Sequence, residues 1–318
     1  MLLREAVALL FAAVGAQAAT PVPPGKLISV GDHRLHLFCA GAGTPTVVIE
    51  NGLGDFSFQW TLVQSRVARF TRICTYDRAG YAWSDPGPKP RTFAQINLEL
   101  HDTLAAAGER APYILVGHSY GGPVVRNFAL TYPRDVAGIV FVDAAHEGLR
   151  VNIGGGKTIR LGENAKGAPI PTPHEQIAAS DKPTIPQDLP RELRILDRMF
   201  GVLPAHAQAW QLWAQQQPAV YDAQNSETQW SEEYFAKWLA TPQAGTLGAI
   251  PIVVLSQADG EKERTQGQKI LLSLCANSKQ VFVHAGHNMH LEAPHDVAAA
   301  IQSVWDGVRS DAGSGASR

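Results

Sequence analysis

Five residues, Gly117-His118-Ser119-Tyr120-Gly121, separate the apolar run Tyr113-Ile114-Leu115-Val116 from the segment Gly122-Pro123-Val124-Val125-Arg126-Asn127-Phe128-Ala129-Leu130. The first run predicts a buried strand and the second a helix with an apolar face, so a very tight turn must join them. The flanking glycines leave room where a side chain would collide with strand or helix. A Ser at the apex is thrust out of the sheet in a strained conformation. Beneath it the helix N-terminus offers free N–H groups and a positive dipole end, which suit a developing oxyanion.

The rest of the chain repeats this strand-then-helix rhythm. Lys26–Val30 and His33–Cys39, joined at Gly31-Asp32, predict a hairpin, with His33 and His36 on its surface or edge. Strands are expected at 46–50, 71–76, 113–116, 138–143, 250–256 and 280–284, and helices at 56–70, 92–107, 262–276 and 294–308. Alternating strands and helices imply a mostly parallel sheet covered on both faces, with ligands at the carboxyl ends of the strands. That rule puts Asn51, Asp77, Ser119 and Asp143 along one edge.

Between 148 and 248 the rhythm stops. The segment holds no clear strand, a Gly154-Gly155-Gly156 run that reads as flexible loop, and helical patterns near 189–200, 205–216 and 230–240. Four of the seven Trp lie here, Trp210, Trp213, Trp230 and Trp238. An inserted helical layer must bury its apolar face against the main domain, and the strand-end crevice is the available place. We therefore expect a core of 26–147 plus 249–310, a helical cap of 148–248, and a disordered polar tail at 311–318.

Composition excludes more than it selects. A formal net charge of −2 over 318 residues leaves no footprint for nucleic acid or an anionic membrane. Arg4, the apolar run Ala6–Val14 and the small residues Ala16-Gln17-Ala18 predict a signal peptide over 1–18, with a secreted or periplasmic product and no stable membrane insertion after cleavage. Cys39 and Cys74 lie in apolar strand-like runs and Cys275 completes an odd count, so buried free thiols are expected. No Cys or His spacing points to a metal, and no cofactor is implied.

A serine hydroxyl needs a base within hydrogen-bond reach, and the base needs an acid to set its tautomer. Of eleven His, His287 stands just past the final strand, after Gly286, on the edge that carries Ser119. His284, His290 and His146 are less suitably placed, and His118 is expected to point away from its neighbour. An oxyanion hole needs two convergent backbone N–H groups. Tyr120, after the Ser, and Leu53, in the Asn51-Gly52-Leu53-Gly54 loop, would supply them.

Together with Tyr76-Asp77-Arg78-Ala79-Gly80, Ser84-Asp85, and Gly286-His287 followed by Glu292 and Pro294, these motifs resemble the α/β-hydrolase superfamily, in its capped esterase, lipase and haloalkane-dehalogenase-like branch. The resemblance covers 26–147 and 249–308 and implies the α/β-hydrolase fold. Two positions depart from the family pattern: Asn51 stands where His is usual, and Ala82 where a second Gly is usual. Ser at the nucleophile position argues against the Asp-nucleophile dehalogenases and epoxide hydrolases. The resemblance leaves two acids open. Asp259 follows the strand ending at Ser256 but comes one residue early, while Asp143 ends the strand after the nucleophile helix in register. The expected activity is hydrolysis of a small hydrophobic carboxylic ester by Ser119, His287 and one of these two Asp. Lactonase, amidase or aminopeptidase, and carbon–carbon bond hydrolase would use the same residues. A small-molecule binding protein with vestigial chemistry is the reading from outside enzymes.

Overall fold

The computed structural model describes residues 20–152, 158–163 and 199–315. The signal segment 1–18, the Gly154–Gly156 run and most of the 189–200 helix expectation lie outside the described residues. An eight-stranded sheet comprises β1 (Lys26–Val30), β2 (His33–Ala40), β3 (Val47–Glu50), β4 (Ile73–Tyr76), β5 (Tyr113–His118), β6 (Val136–Val142), β9 (Ile252–Gln257) and β10 (Ser278–Val283). Its order is β1-β2-β4-β3-β5-β6-β9-β10. Strands β1 and β2 pair antiparallel with each other, β2 runs antiparallel to β4, and every other pairing is parallel. Strands β7 (Arg150–Asn152) and β8 (Thr158–Arg160) form a separate two-stranded ribbon, so the 148–248 region, expected to lack strands, carries one short hairpin.

The helices are α1 (Thr61–Val67), α2 (Phe93–Ala106), α3 (Gly121–Thr131), α4 (Ala205–Ala214), α5 (Pro218–Ala240), α6 (Lys262–Gly267), α7 (Lys269–Ser273), α8 (Met289–Glu292) and α9 (Pro294–Gly315). Thr92 starts α2 by accepting from Gln95 N–H at 3.1 Å, and Gly108 ends it at φ +78°. The side-chain alternation along β5 decides the layering. Leu115 packs on one face with Leu100 and Leu104 of α2, Val125 and Phe128 of α3, and Leu271 of α7. Ile114 and Val116 pack on the other with Val63 and Val67 of α1 and Val297, Ile301 and Val304 of α9. Both faces are covered, as a parallel sheet requires.

Four expectations need correction. The helix expected over 262–276 is two short helices, α6 and α7. Helix α9 runs on to Gly315, through most of the segment expected as a disordered tail. His36 is wholly buried and bonded to Asp77 at 2.7 Å, and His33 is buried too, because the β1–β2 hairpin is covered rather than exposed. Cys39 and Cys74 face each other in the β2–β4 register and form a disulfide; Cys275 stays a buried thiol.

Helices α4 and α5 lie over the carboxyl ends of the strands. Trp210, Trp213, Ala207 and Val220 pack with Phe56, Phe58, Tyr81 and Trp83 of the core loops. Phe235 and Trp238 of α5 pack with Phe93 and Tyr120. The contact is dense in aromatic pairs, such as Trp83 with Trp210 at 5.0 Å and Phe93 with Tyr234 at 4.6 Å between ring centroids.

Candidate active site

Ser119 sits between β5 and α3 at φ +49°, a left-handed conformation that costs a non-Gly residue about 1–2 kcal/mol. The turn survives because its glycines let strand and helix touch. A Cβ on Gly117 would lie 2.6 Å from the Gly121 carbonyl, and one on Gly121 would run into the Glu50 carbonyl of β3. Ala82, where the family pattern has Gly, also adopts a positive φ of 40°, which accounts for the usual glycine.

The order β5-β6-β9-β10 carries three further loops to the same edge. His287, past β10, places Nε2 3.0 Å from Ser119 Oγ. Its Nδ1 lies 2.6 Å from Asp143 Oδ2, past the end of β6. Asp143 also has a positive φ, 39°, and its N–H donates to the Leu255 carbonyl at 3.0 Å. The structure thus brings Ser119, His287 and Asp143 into one relay, and leaves Asp259 out of it. Asp259 is 85% exposed and pairs with His284, equally exposed, at 2.9 Å. The end of β9 instead contributes Gln257, whose Nε2 donates to Asp143 Oδ2 at 2.7 Å.

Asp143 is almost fully enclosed, and donors surround it. Gln268 Nε2 donates to Oδ1 at 2.9 Å, and Arg264 Nε does so at 3.1 Å. Arg264 Nη2 lies 3.0 Å from Oδ2 and 3.2 Å from His287 Nδ1, so two donors converge side by side on one carboxylate. Burial disfavours the charged carboxylate, but the His287 hydrogen bond and the Arg264 guanidinium outweigh it and hold the carboxyl well below its usual range. The group stays an acceptor, and His287 Nδ1 must carry a proton to meet it. Nε2 is then the lone pair that faces Ser119.

Neither Leu53 N–H nor Tyr120 N–H has a hydrogen-bond partner among the described residues. The loop before Leu53 is tightly held. Asn51 Nδ2 donates to the Tyr76 carbonyl at 2.7 Å, Gly52 N–H donates to Asp55 Oδ2 at 3.1 Å, and Arg78 donates to the Asn51 and Gly52 carbonyls at 2.7 and 2.9 Å. Asn51, where the family pattern has His, thus ties this loop to the end of β4.

His118 Nδ1 meets Asp55 Oδ2 at 2.8 Å, and its Nε2 donates to the His287 carbonyl at 3.0 Å. The residue before Ser119 thus anchors the backbone of the histidine that faces Ser119. Burial opposes ionisation of Asp55, yet His118 outweighs it and brings the carboxyl down to about 2. Asp55, His118 and His290 have donor atoms within 4.8 Å of one another. A separation of 2.8 Å fits a shared proton better than two ligands of a tetrahedral metal, which stand about 3.3 Å apart at bond lengths of about 2 Å. His290 stacks on Trp60 at 4.6 Å and is wholly buried, which drives its pKa down to about 3.

Asp77, placed on this edge by the strand pattern, accepts from Ser57 N–H, Ser57 Oγ and His36 and takes no part in the relay. Arg264, Gln257 and Gln268, which surround Asp143, were not legible beforehand as site residues. Arg78 carried a signal, as a charged residue two places after a buried strand.

The profile of the alpha/beta hydrolase family matches residues 37–300. The chain belongs to that family. Among curated relatives, "Probable transporter efuK" of Hormonema carpetanum is 40% identical over 129 residues, 38% of this chain and 18% of that protein. The chain thus spans under a fifth of that relative's length. "Uncharacterized protein YqjL" of Bacillus subtilis (strain 168) is 26% identical over 274 residues, 83% of this chain and 85% of its own. Among solved structures, the serine hydrolase "involved in the carbazole degradation (CarC enzyme)" has a TM-score of 0.64 at 18% identity, covering 88% of this chain and 98% of its own. That likeness concerns the fold. Among the described residues, no helix is long and apolar enough to cross a membrane.

Proposed function

We propose that this hydrolase cleaves carboxylic esters of a small hydrophobic compound through an acyl-enzyme on Ser119. The observation that carries the reading is the relay of Ser119 Oγ, His287 Nε2 and Asp143, at 3.0 and 2.6 Å. His287 takes the Ser119 proton as the oxygen attacks the acyl carbon, and Asp143 stabilises the imidazolium that forms. The Leu53 and Tyr120 N–H groups receive the oxyanion. His287 then protonates the departing alcohol, and a water, activated by the same nitrogen, releases the acid and restores Ser119. Leu53 and Tyr120 pack in a cluster with Phe93, Leu149 and Phe235, which supports an apolar substrate portion.

The test is labelling by a fluorophosphonate probe, followed by turnover of p-nitrophenyl esters of increasing acyl length. Labelling at Ser119 in the parent protein, absent in Ser119→Ala, with saturable ester turnover supports the proposal. Unlabelled Ser119 in folded protein refutes it. Preferential turnover of lactones or amides over esters would keep the nucleophile and overturn the substrate class.

We also propose export, with residues 1–18 as a cleaved signal. The Arg4 and Ala6–Val14 pattern supports it, and so does the Cys39–Cys74 disulfide, since such bonds persist in oxidising compartments. N-terminal sequencing of the mature protein from the producing cell tests it; a start at Met1 would refute cleavage.

A further inference from the structure

Behind the Leu53 loop lies a buried ionic group that ties the core to α5. A guanidinium has five N–H bonds, and Arg78 uses all of them. Nη1 donates to Glu50 Oε1 at 2.8 Å and to the Asn51 carbonyl at 2.7 Å. Nη2 donates to the Gly52 carbonyl at 2.9 Å and to Glu227 Oε2 at 3.1 Å. Nε donates to Glu227 Oε1 at 2.9 Å. Arg78 and Glu227 are both buried, and Glu227 stands mid-way along α5, 149 residues from Arg78. Tyr81 adds a third donor to Glu227, its hydroxyl meeting Oε2 at 2.7 Å.

The arrangement touches the peptide that carries one N–H group assigned to the oxyanion and the side chain of the residue that carries the other. In a trans peptide the C=O and the following N–H point in opposite directions. By fixing the Gly52 carbonyl, Arg78 Nη2 turns the Leu53 N–H to the other side of that peptide. The same guanidinium lies 5.3 Å from the centroid of the Tyr120 ring, and the Tyr120 hydroxyl donates to the Glu227 main-chain carbonyl at 3.2 Å. Helix α5 also runs against the loop itself, since a Cβ on Gly54 would lie 3.1 Å from Gln224 Nε2.

We propose that Glu227 is a positioning residue that acts from helix α5, orienting Arg78 and thereby the Leu53 N–H, while its own carbonyl holds the Tyr120 ring. The oxyanion hole is then complete only while α5 is docked. Glu227 itself touches no reacting atom. The bidentate pairing explains the choice of residue: Nε and Nη2 share the plane that a carboxylate fits, so the guanidinium cannot pivot about its bond to Glu50. This inference rests on the serine hydrolase reading.

The experiment compares the parent with Glu227→Gln and Glu227→Ala, each counted by fluorophosphonate active-site titration. Losing a whole oxyanion donor costs about 10²–10³ in kcat. A donor misaimed rather than removed should cost Glu227→Ala about 10- to 100-fold in kcat per titrated site, with KM for p-nitrophenyl butyrate within about threefold. Affinity for a boronic acid, whose tetrahedral adduct on Ser119 puts an oxygen in the hole, should fall by the same factor as kcat/KM. Glu227→Gln, which keeps one acceptor, should fall between, and it carries the test if the Ala variant does not fold. Parental kcat per titrated site in Glu227→Gln overturns the inference, whatever the melting temperature; so does a rise in KM alone. A parent unlabelled at Ser119 would instead overturn the hydrolase reading on which it rests.

Discussion

Replacing Asp143 by Asn tests the relay where the two candidate acids diverge. The change keeps the side chain's shape and removes its charge. Its cost follows from the partners: His287 Nδ1, Gln257 Nε2, Gln268 Nε2 and Arg264 all donate to this group. An amide offers one oxygen where the carboxylate offers two, so in either orientation its NH2 confronts a donor. If the NH2 faces His287, the imidazole takes the tautomer with Nε2 protonated and cannot accept the Ser119 proton. The imidazolium also loses its counter-charge. With charge centres about 4 Å apart and an effective dielectric of about 20, that attraction is about 4 kcal/mol, or about three decades in rate. Adding the wrong tautomer brings the expected loss to 10³- to 10⁴-fold, about 4–5.5 kcal/mol of barrier. The assay is kcat/KM for p-nitrophenyl butyrate with the active-site count measured separately. Asp259→Asn, which alters only an exposed pair with His284, should stay within about twofold of the parent. Asp143→Asn within tenfold of the parent, or a collapse in Asp259→Asn, would refute the reasoning.

Three further outcomes follow from individual residues. Ser119→Gly relieves the φ of +49° and should leave stability unchanged or up to about 1 kcal/mol higher in urea unfolding, while turnover falls at least about 10⁴-fold; a clear loss of stability would contradict the strain. His290 takes up a proton near 6.5 when unfolded but only near 3 when buried, so between these values the unfolded state binds more protons and stability falls as pH falls. Between pH 6.5 and 5, His290→Phe should lose about 1.6 kcal/mol less than the parent in urea titrations; equal slopes would refute this. Removing the disulfide in a Cys39→Ala, Cys74→Ala double variant frees a loop of 35 residues and should cost about 3–4 kcal/mol in the same assay, and no change would show that the bond is not formed.

Read from the sequence alone, the elements were legible because their signals are local. Short apolar runs mark the central strands, Gly108 stops α2, and the glycines around Ser119 announce a turn that few backbones can make. Ser119, His287, Leu53 and Tyr120 could be proposed as site residues for the same reason, each standing beside a strand end that its own neighbours define. Hydrogen-bond partners far along the chain could not be named. Asp143 and Asp259 both follow strands at the right edge, and only the β6-β9-β10 order with the side-chain directions brings one of them to His287. His36 looked like a surface residue because burial of the first hairpin depends on what packs over it. Cys39 and Cys74 needed the β2–β4 register before their pairing was visible. Glu227 had no local signal at all, as an acidic residue in a polar helix. It became part of the site because folding laid that helix on Arg78, 149 residues away, where a buried guanidinium has no water to satisfy it and needs a carboxylate.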